Sequence, residues 1–480
     1  MTHAFPAHPL DLPAEEIGNG IREGRFRAET VIAESLRRAR IVNDRLNAFT
    51  LLREEAATLA ARDADRRVAA GEPGLPPLLG VPFAAKDLTP TRGDVTTLGS
   101  WTRGHWVPDE TALCIARLEA AGAILVAKTT TPEFAYSSFT ASPRWGITRN
   151  PWNPERTPGG SSGGSAVAVA TGVVPFAEGT DMGGSVRIPA ALSGVVGFKP
   201  SLGRIPMTIL PSCFDTLSHF GPLARSVADA ATFLRFTAGP DNADILSLPM
   251  PFVPERAAPA SLEGKRFAFS PDLGYYHVEP QVRDVLDAAI ACLRASGAVV
   301  EEADLTWTRA VNDGWHDLWC VFMSGFFGEG IDTHRGRMDP NVLDLIDRGL
   351  TLDATSVKRL ELLRTAMWKD FARVLSGCDA VLMPTCAVTA PSALADDNDF
   401  VATRPDGRLA GLDMTCPFNL LPQCPALSLP AGLAADGLPV GLQIVGPRYA
   451  DEDVLALSAG IEAALASAGL GVGPAPGFNV

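Results

Sequence analysis

The chain has no apolar run approaching the ~20 residues that a membrane-spanning helix needs, so no membrane span is expected. Its first residues, MTHAFPAHPLDLPAEE, lack the basic stretch and apolar core of a secretory leader, and none is expected. Positive charge is also in deficit: 41 basic residues face 55 acidic ones, for a net charge of −14. Such a surface repels phosphate backbones, which speaks against nucleic acid as a partner. Eight cysteines (114, 213, 292, 320, 378, 386, 416 and 424) are scattered without a C-x-x-C pair or a histidine at ligand spacing. That argues against a zinc site and a disulfide scaffold, and it makes a reducing cytoplasm the expected compartment. Lysine is scarce too. Only positions 86, 128, 199, 265, 358 and 369 carry it, so a lysine inside an apolar run needs a reason of its own.

What is present is an ordinary globular composition: 480 residues, 46% hydrophobic and 20% charged. The length exceeds the about 250–300 residues that one simple core can use, which leaves several packed units or one large α/β domain. The first 70 residues read as helices, with apolar residues at helical spacing in AETVIAESLRRARIVNDRL and again in LREEAATLAARDADRRVAAG. GVPFAAKD and AILVAKT read as short buried strands, the second after the helix DETALCIARLEAAG. Further on, KRFAFS, AVVEEADL, CDAVLMPT, PALSLPAG and LPVGLQIVG read as strands. VEPQVRDVLDAAIACLRASG, much of 309–377 and DEDVLALSAGIEAALASAG read as helices. The alternation predicts an α/β fold with a large mixed sheet covered by helices on both faces.

The segment TPGGSSGGSAVAVATG (157–172) sets glycines and serines directly before an Ala/Val helix, bringing bare amides and small hydroxyls to a helix start. By itself it fits a tight turn with capping serines. A phosphate loop fits poorly, because neither G-x-x-x-x-G-K-[ST] nor G-x-G-x-x-G occurs here. Gly159-Gly160-Ser161-Ser162-Gly163 also satisfies the G-x-S-x-G of a nucleophile elbow, but His219, His277, His316 and His334 sit in no recognisable catalytic turn.

Three segments together are more specific: GVPFAAKD (80–87), RNPWNPERTPGGSSGGSA and GTDMGGSVRIPAALSGVVGFKPS (179–201). With FDTLSHFGPLARSVADAA and GLPVGLQIVGP, they closely resemble the amidase signature family of serine hydrolases. The resemblance covers about 76–450. It implies a single large α/β domain with a mixed sheet between helices: a helical segment at 1–75 packed on a catalytic domain at 76–450, with its core at 80–231 and variable substrate-lining helices at about 305–377. Residues 451–480 would close the chain as a helix and tail. Carried onto this sequence, the resemblance makes Ser185 the nucleophile, Ser161 a bridging serine after a cis peptide at Gly160–Ser161, and Lys86 the base.

The chemistry agrees with that assignment. An amide is a poor electrophile, so the attacking hydroxyl must lose its proton, and the departing nitrogen must gain one. No histidine lies in the three segments, but a lysine serves if burial keeps it neutral, and Lys86 follows the apolar VPFAA. The backbone amides of Met182, Gly183, Gly184 and Ser185 are the expected oxyanion donors. Ser162, Asp181 and Arg187 are expected to brace the loop, and Lys128 is given no catalytic role.

For the substrate, VNDGWHDLWCVFMSGFF puts Trp315, Leu318, Trp319, Phe322 and Phe326 on one helical face, either as core or as an aryl-lined wall. Tyr136, Ser137, Met207, Ile209, Trp319 and Phe322 are the candidate lining residues. None is charged, which favours neutral, apolar or aryl amides, with carbamates and esters open to the same acyl-enzyme chemistry. The alternative is the glutaminase subunit of a tRNA-dependent amidotransferase, where a glutamine-type residue would be expected in place of Ile188. No metal, nucleotide or organic cofactor is implied. The expected partners are a small amide, carbamate or ester and water, in a monomer or homodimer.

Overall fold

In the computed structural model the structure describes residues 8–476. Residues 1–7, with the start read for a leader, and 477–480 at the end of the expected tail lie outside the described residues. Helix α1 (Ala14–Arg22) is followed by α2 (Ala28–Leu46), which buries Val31, Ile32, Leu36, Ala39, Val42 and Leu46 at three- and four-residue spacing. Helix α3 (Glu54–Ala69) buries the alanine stripe Ala57, Ala61 and Ala64. The sequence pattern here suggests only helices, yet Phe49–Leu52 forms a strand, β1. Four residues between two helical patterns leave little local signal. Pairing with a strand more than 70 residues away is what makes this one.

The remaining strands are β2 (Pro82–Lys86), β3 (Ile124–Thr129), a small separate hairpin of β4 (Ala141–Ser142) and β5 (Gly146–Ile147), β6 (Phe176–Asp181), β7 (Val196–Lys199) and β8 (His219–Ala224). After them come β9 (Arg266–Phe269), β10 (Val299–Glu302), β11 (Ala380–Pro384), β12 (Ala426–Leu433) and β13 (Pro439–Val445). All but the hairpin join one 11-stranded sheet in the order β1-β3-β2-β6-β8-β7-β12-β13-β11-β9-β10. The sheet is mixed: β3, β2 and β6 run parallel, the centre is antiparallel, and β11, β9 and β10 are parallel again. The expected α/β class and mixed sheet are what the structure has.

Helices α4 (Leu113–Ala120), α5 (Gly163–Ala170), α6 (Arg187–Ser193), α7 (Val227–Thr237) and α8 (Pro280–Ala295) cover the sheet with α13 (Asp451–Ser467). Helices α9 (Ala310–Phe327), α10 (Pro340–Gly349), α11 (Ala354–Leu375) and the single turn α12 (Pro417–Leu420) pack into two further apolar clusters beside it, α11 and α12 in one, α10 in the other and α9 in both. Every residue of α5 and α6 is buried, and the small side chains of α5 let backbone approach backbone at the centre of the fold. The parallel strands β2 and β6 end at the same edge, where α5 and α6 begin. Crevices at the carboxyl ends of parallel strands are where α/β sheets bind ligands.

Candidate active site

Lys86 is the last residue of β2 and is completely buried. Its Nζ donates to Ser161 Oγ at 2.6 Å and to Thr180 Oγ1, on β6, at 2.9 Å. Ser161 lies in the turn before α5, after a cis peptide at Gly160–Ser161. Burial drives the lysine pKa down to about 7, against the opposing pull of Glu178 and Asp181, so a neutral amine is accessible near neutrality. Ser185 stands just before α6, partly exposed, and its hydroxyl has no hydrogen-bond partner among the described residues. No histidine among them bonds Ser161 or the Ser185 hydroxyl. His219 instead contacts the carbonyls of Asp181 and Pro422, and burial depresses its pKa to about 3.

The loop carrying Ser185 is clamped from below. Asp181 and Arg187 form an ion pair with both side chains at 0% exposure, Arg187 Nη2 meeting Asp181 Oδ1 at 2.8 Å. Arg187 also donates to Thr415 O, Gln443 Oε1 and Asn419 Oδ1. Burial alone would raise the Asp181 pKa, but the charge and hydrogen bonds of Arg187 outweigh it and hold the carboxyl well below its usual range. This carboxylate also accepts the amides of Gly184 at 2.9 Å and Val186 at 3.2 Å.

That corrects one expectation: the Gly184 amide is committed to Asp181 and is not a free oxyanion donor. The amides of Met182, Gly183 and Ser185 have no partner among the described residues and remain open. Gly184 has φ +131, and a Cβ there would collide with Thr415. A Cβ at Gly183 would collide with the indole of Trp315. Ser162 ties the two serine loops together, its amide donating to Ser185 O at 3.1 Å.

Ser185, Met182 and Trp319 lie between two cavities. One, of about 170 Å³, is walled by Leu88, Leu98, Phe134, Met207, Ile209, Trp319, Phe322, Phe326 and Phe327, with Arg103 as its one charged side chain besides Asp181. The other, of about 480 Å³, holds Tyr136, Ser137, Trp315 and Trp319 together with Arg309, Asp313, His316, Asp344, Arg348, Asp397 and Asp413. All six candidate lining residues thus face one cavity or both. The Trp/Phe stripe of α9 is a wall, with Trp315 and Trp319 stacked at 6.2 Å and Trp319 on Phe322 at 5.2 Å. The two indoles are fixed by donation to Met182 O and Tyr136 O.

The charged set is invisible to sequence reasoning, because it comes from α9, α10 and residues 397–413, which carry no motif. Several of these charges are already engaged: Arg309 with Asp313, Arg348 with Asp317, and Asp397 with the Ser138 amide. Among the described residues, no group of three or more His, Cys, Asp or Glu is arranged to hold a metal ion. No helix among them is long and apolar enough to cross a membrane.

Known proteins share this architecture. A family model described as Amidase matches residues 30–455. The chain is 36% identical over 468 residues to an acylamidase of Rhodococcus erythropolis, covering 94% of this chain and 95% of that protein. It is likewise 36% identical to a glutamyl-tRNA(Gln) amidotransferase chain of Roseiflexus sp. strain RS-1, over 90% of this chain and 93% of the relative. Among solved structures, a bacterial aryl acylamidase of the amidase signature enzymes superposes with a TM-score of 0.87 at 30% identity, covering 94% of this chain and 96% of that one.

Proposed function

This chain belongs to the amidase signature family and is an amidase that hydrolyses C–N bonds, and from that premise we propose that its substrates are neutral amides carrying an apolar or aryl group. The observation that supports this reading is Ser185 beside the 2.6 Å Lys86–Ser161 contact, opening onto an apolar chamber of about 170 Å³. Apolar cavities of about 150 Å³ take a benzene ring. An aryl or short branched alkyl group therefore suits this side of the scissile bond. The larger chamber suits a hydrated, polar remainder, since several of its charges already have partners.

In the proposed mechanism Lys86 is a neutral amine, and the contact with Ser161 then runs from the serine hydroxyl to the amine lone pair. Ser185 Oγ attacks the carbonyl carbon. Its proton passes to Ser161 Oγ as the Ser161 proton passes to Lys86 Nζ. The amides of Met182, Gly183 and Ser185 receive the developing oxyanion. When the tetrahedral intermediate collapses, the proton returns from Lys86 through Ser161 to the leaving nitrogen, because an amine departs only when protonated. Water then cleaves the Ser185 ester by the same relay. Carbamates and esters belong to this proposal, since an ester leaves an acyl ester on Ser185 and C–N cleavage of a carbamate leaves a carbonate there, and water cleaves either.

The glutaminase chain of an amidotransferase shares this chemistry, so the substrate separates the two readings. Mass-spectrometric product analysis with an aryl anilide, an aryl carbamate and glutamine tests it, beside Ser185→Ala. Arylamine released by the wild type and not by the variant supports the proposal. Ammonia from glutamine with no arylamine would overturn it.

A further inference from the structure

Beneath Lys86 lies a second layer of buried charge that the relay does not use. Glu178, on β6, is completely buried, yet the parallel ladder between β2 and β6 is registered only at Phe83–Phe176 and Ala84–Ala177. Past that point the Glu178 carboxylate takes over the pairing. Its Oε2 accepts the backbone amide of Lys86 at 2.9 Å, and its Oε1 accepts the Thr89 hydroxyl at 2.9 Å. The Thr89 carbonyl in turn accepts from Lys128 Nζ, which also donates to Thr96 Oγ1 at 3.1 Å. Lys128 is itself completely buried at the end of β3. Burial pushes the Glu178 pKa up, while the Lys86 amide, the Thr89 hydroxyl and the two lysines favour its charged form. A carboxylate excluded from water costs several kcal/mol unless it is paired and hydrogen-bonded, so Glu178 in a strand reading FAEGTD calls for a role.

We propose that Glu178 is a positioning residue for Lys86: its carboxylate fixes the end of β2 so that the amine reaches Ser161, and its charge, which Lys128 helps to maintain, sets how tightly that amine holds its proton. The inference rests on Lys86 acting as the base. The charges that act on the amine are Glu178 and Asp181 on β6, and Asp87 just after β2 and Lys128 on β3 are further buried charged groups at this edge. Asp181 is already matched by Arg187. Asp87 is held by Thr97, with its amide donating to Oδ1 and its hydroxyl to Oδ2. Cys114, on α4, is the nearby thiol, and burial keeps it protonated. Glu178 therefore bears electrostatically on two buried lysines, each of which favours its charged form.

Both charge variants should act in one direction. In Glu178→Gln the side-chain shape is kept and the amide oxygen still accepts the Lys86 amide, but the negative charge is lost, so the Lys86 ammonium is less stable. The acid limb of kcat/KM should move to lower pH by about one pH unit. In Lys128→Met Glu178 loses a cation that favours its charged form, so the same limb should move to lower pH by less. Thr89→Val removes the hydroxyl on Oε1 with all charged side chains kept; it should lower kcat and move the limb the least.

The assay is the pH dependence of kcat/KM for the aryl anilide, with circular dichroism to establish that each variant is folded. Shifts to lower pH in the two charge variants, larger for Glu178→Gln, support the proposal. Unmoved limbs, or a shift to higher pH in either, overturn it and leave Glu178 as packing. Should one variant fail to fold, the direction of the other still decides. Ser185→Ala separates the levels: if it stays active, the base assignment fails and this inference with it. If it is dead while the limbs stay fixed, this inference alone fails.

Discussion

Replacing Gly183 by alanine tests whether the loop amides work as proposed. The backbone there lies outside the positive-φ region, so alanine is conformationally acceptable and any effect comes from contact. The added methyl would enter the indole of Trp315. That ring cannot simply swing away, because its Nε1 donates to Met182 O at 3.0 Å. Nor can the loop drop, because Asp181 holds the amides of Gly184 and Val186. Overpacking of this kind typically costs ~1–3 kcal/mol. If the strain is relieved by moving the 182–183 amides, the penalty is that of one oxyanion donor, ~10²–10³ in kcat.

The expected result for Gly183→Ala is therefore kcat lower by about 100-fold on the anilide with KM nearly unchanged, since the lost contact belongs to the transition state. Trp315→Ala alone loses one hydrogen bond to Met182 O and should cost about tenfold, in line with ~0.5–1.5 kcal/mol for such a bond. The double variant should be little worse than Trp315→Ala, a coupling of at least ~1 kcal/mol. Full activity in Gly183→Ala, or strictly additive losses in the double variant, would refute the reasoning.

The proposed role of Lys86 as a neutral base, with its pKa pushed by burial down to about 7, predicts activity above that value and a fall of ~tenfold per pH unit well below it; a plateau extending unchanged to acid pH would contradict this. Arg187→Met leaves the buried Asp181 carboxylate without its cation, and denaturant unfolding should show a loss of about 3–5 kcal/mol at neutral pH. Since the Asp181 pKa is held below its unfolded value, its stabilising contribution is present above that value, about 3.9, and is lost as pH falls through the folded one. The gap between wild type and variant should thus narrow in acid. Trp319→Ala opens the wall between the two chambers, and the preference for aryl over small alkyl anilides should fall by about 10–100-fold in kcat/KM, measured in direct competition.

Short-range chemistry made much of this protein legible before its structure. The glycine–serine turns before α5 and α6 and the lysine closing VPFAA are local patterns, and the structure brings Lys86 and Ser161 to 2.6 Å. Strands β2, β3 and β9 to β13 and most of the long helices also followed from period and composition, because a buried strand or an amphipathic helix writes its own pattern along the chain, whereas the glycine-rich segments of β6, β7 and β8 carry no such pattern.

What only the tertiary structure decided involves residues far apart. Strand β1 exists through its partner β3. The Gly184 amide looked free in the motif, and only the fold shows Asp181 taking it. The polar chamber gathers Arg309, Asp344, Asp397 and Asp413 from separate segments, none with a recognisable spacing. Glu178 reads as an ordinary strand residue until β2 is laid beside β6 and its carboxylate meets the Lys86 amide. Local backbone preference, written in the sequence, determines which groups are available to a site. Hydrogen bonds and cavities between distant segments depend on packing, and packing is decided by the whole chain at once.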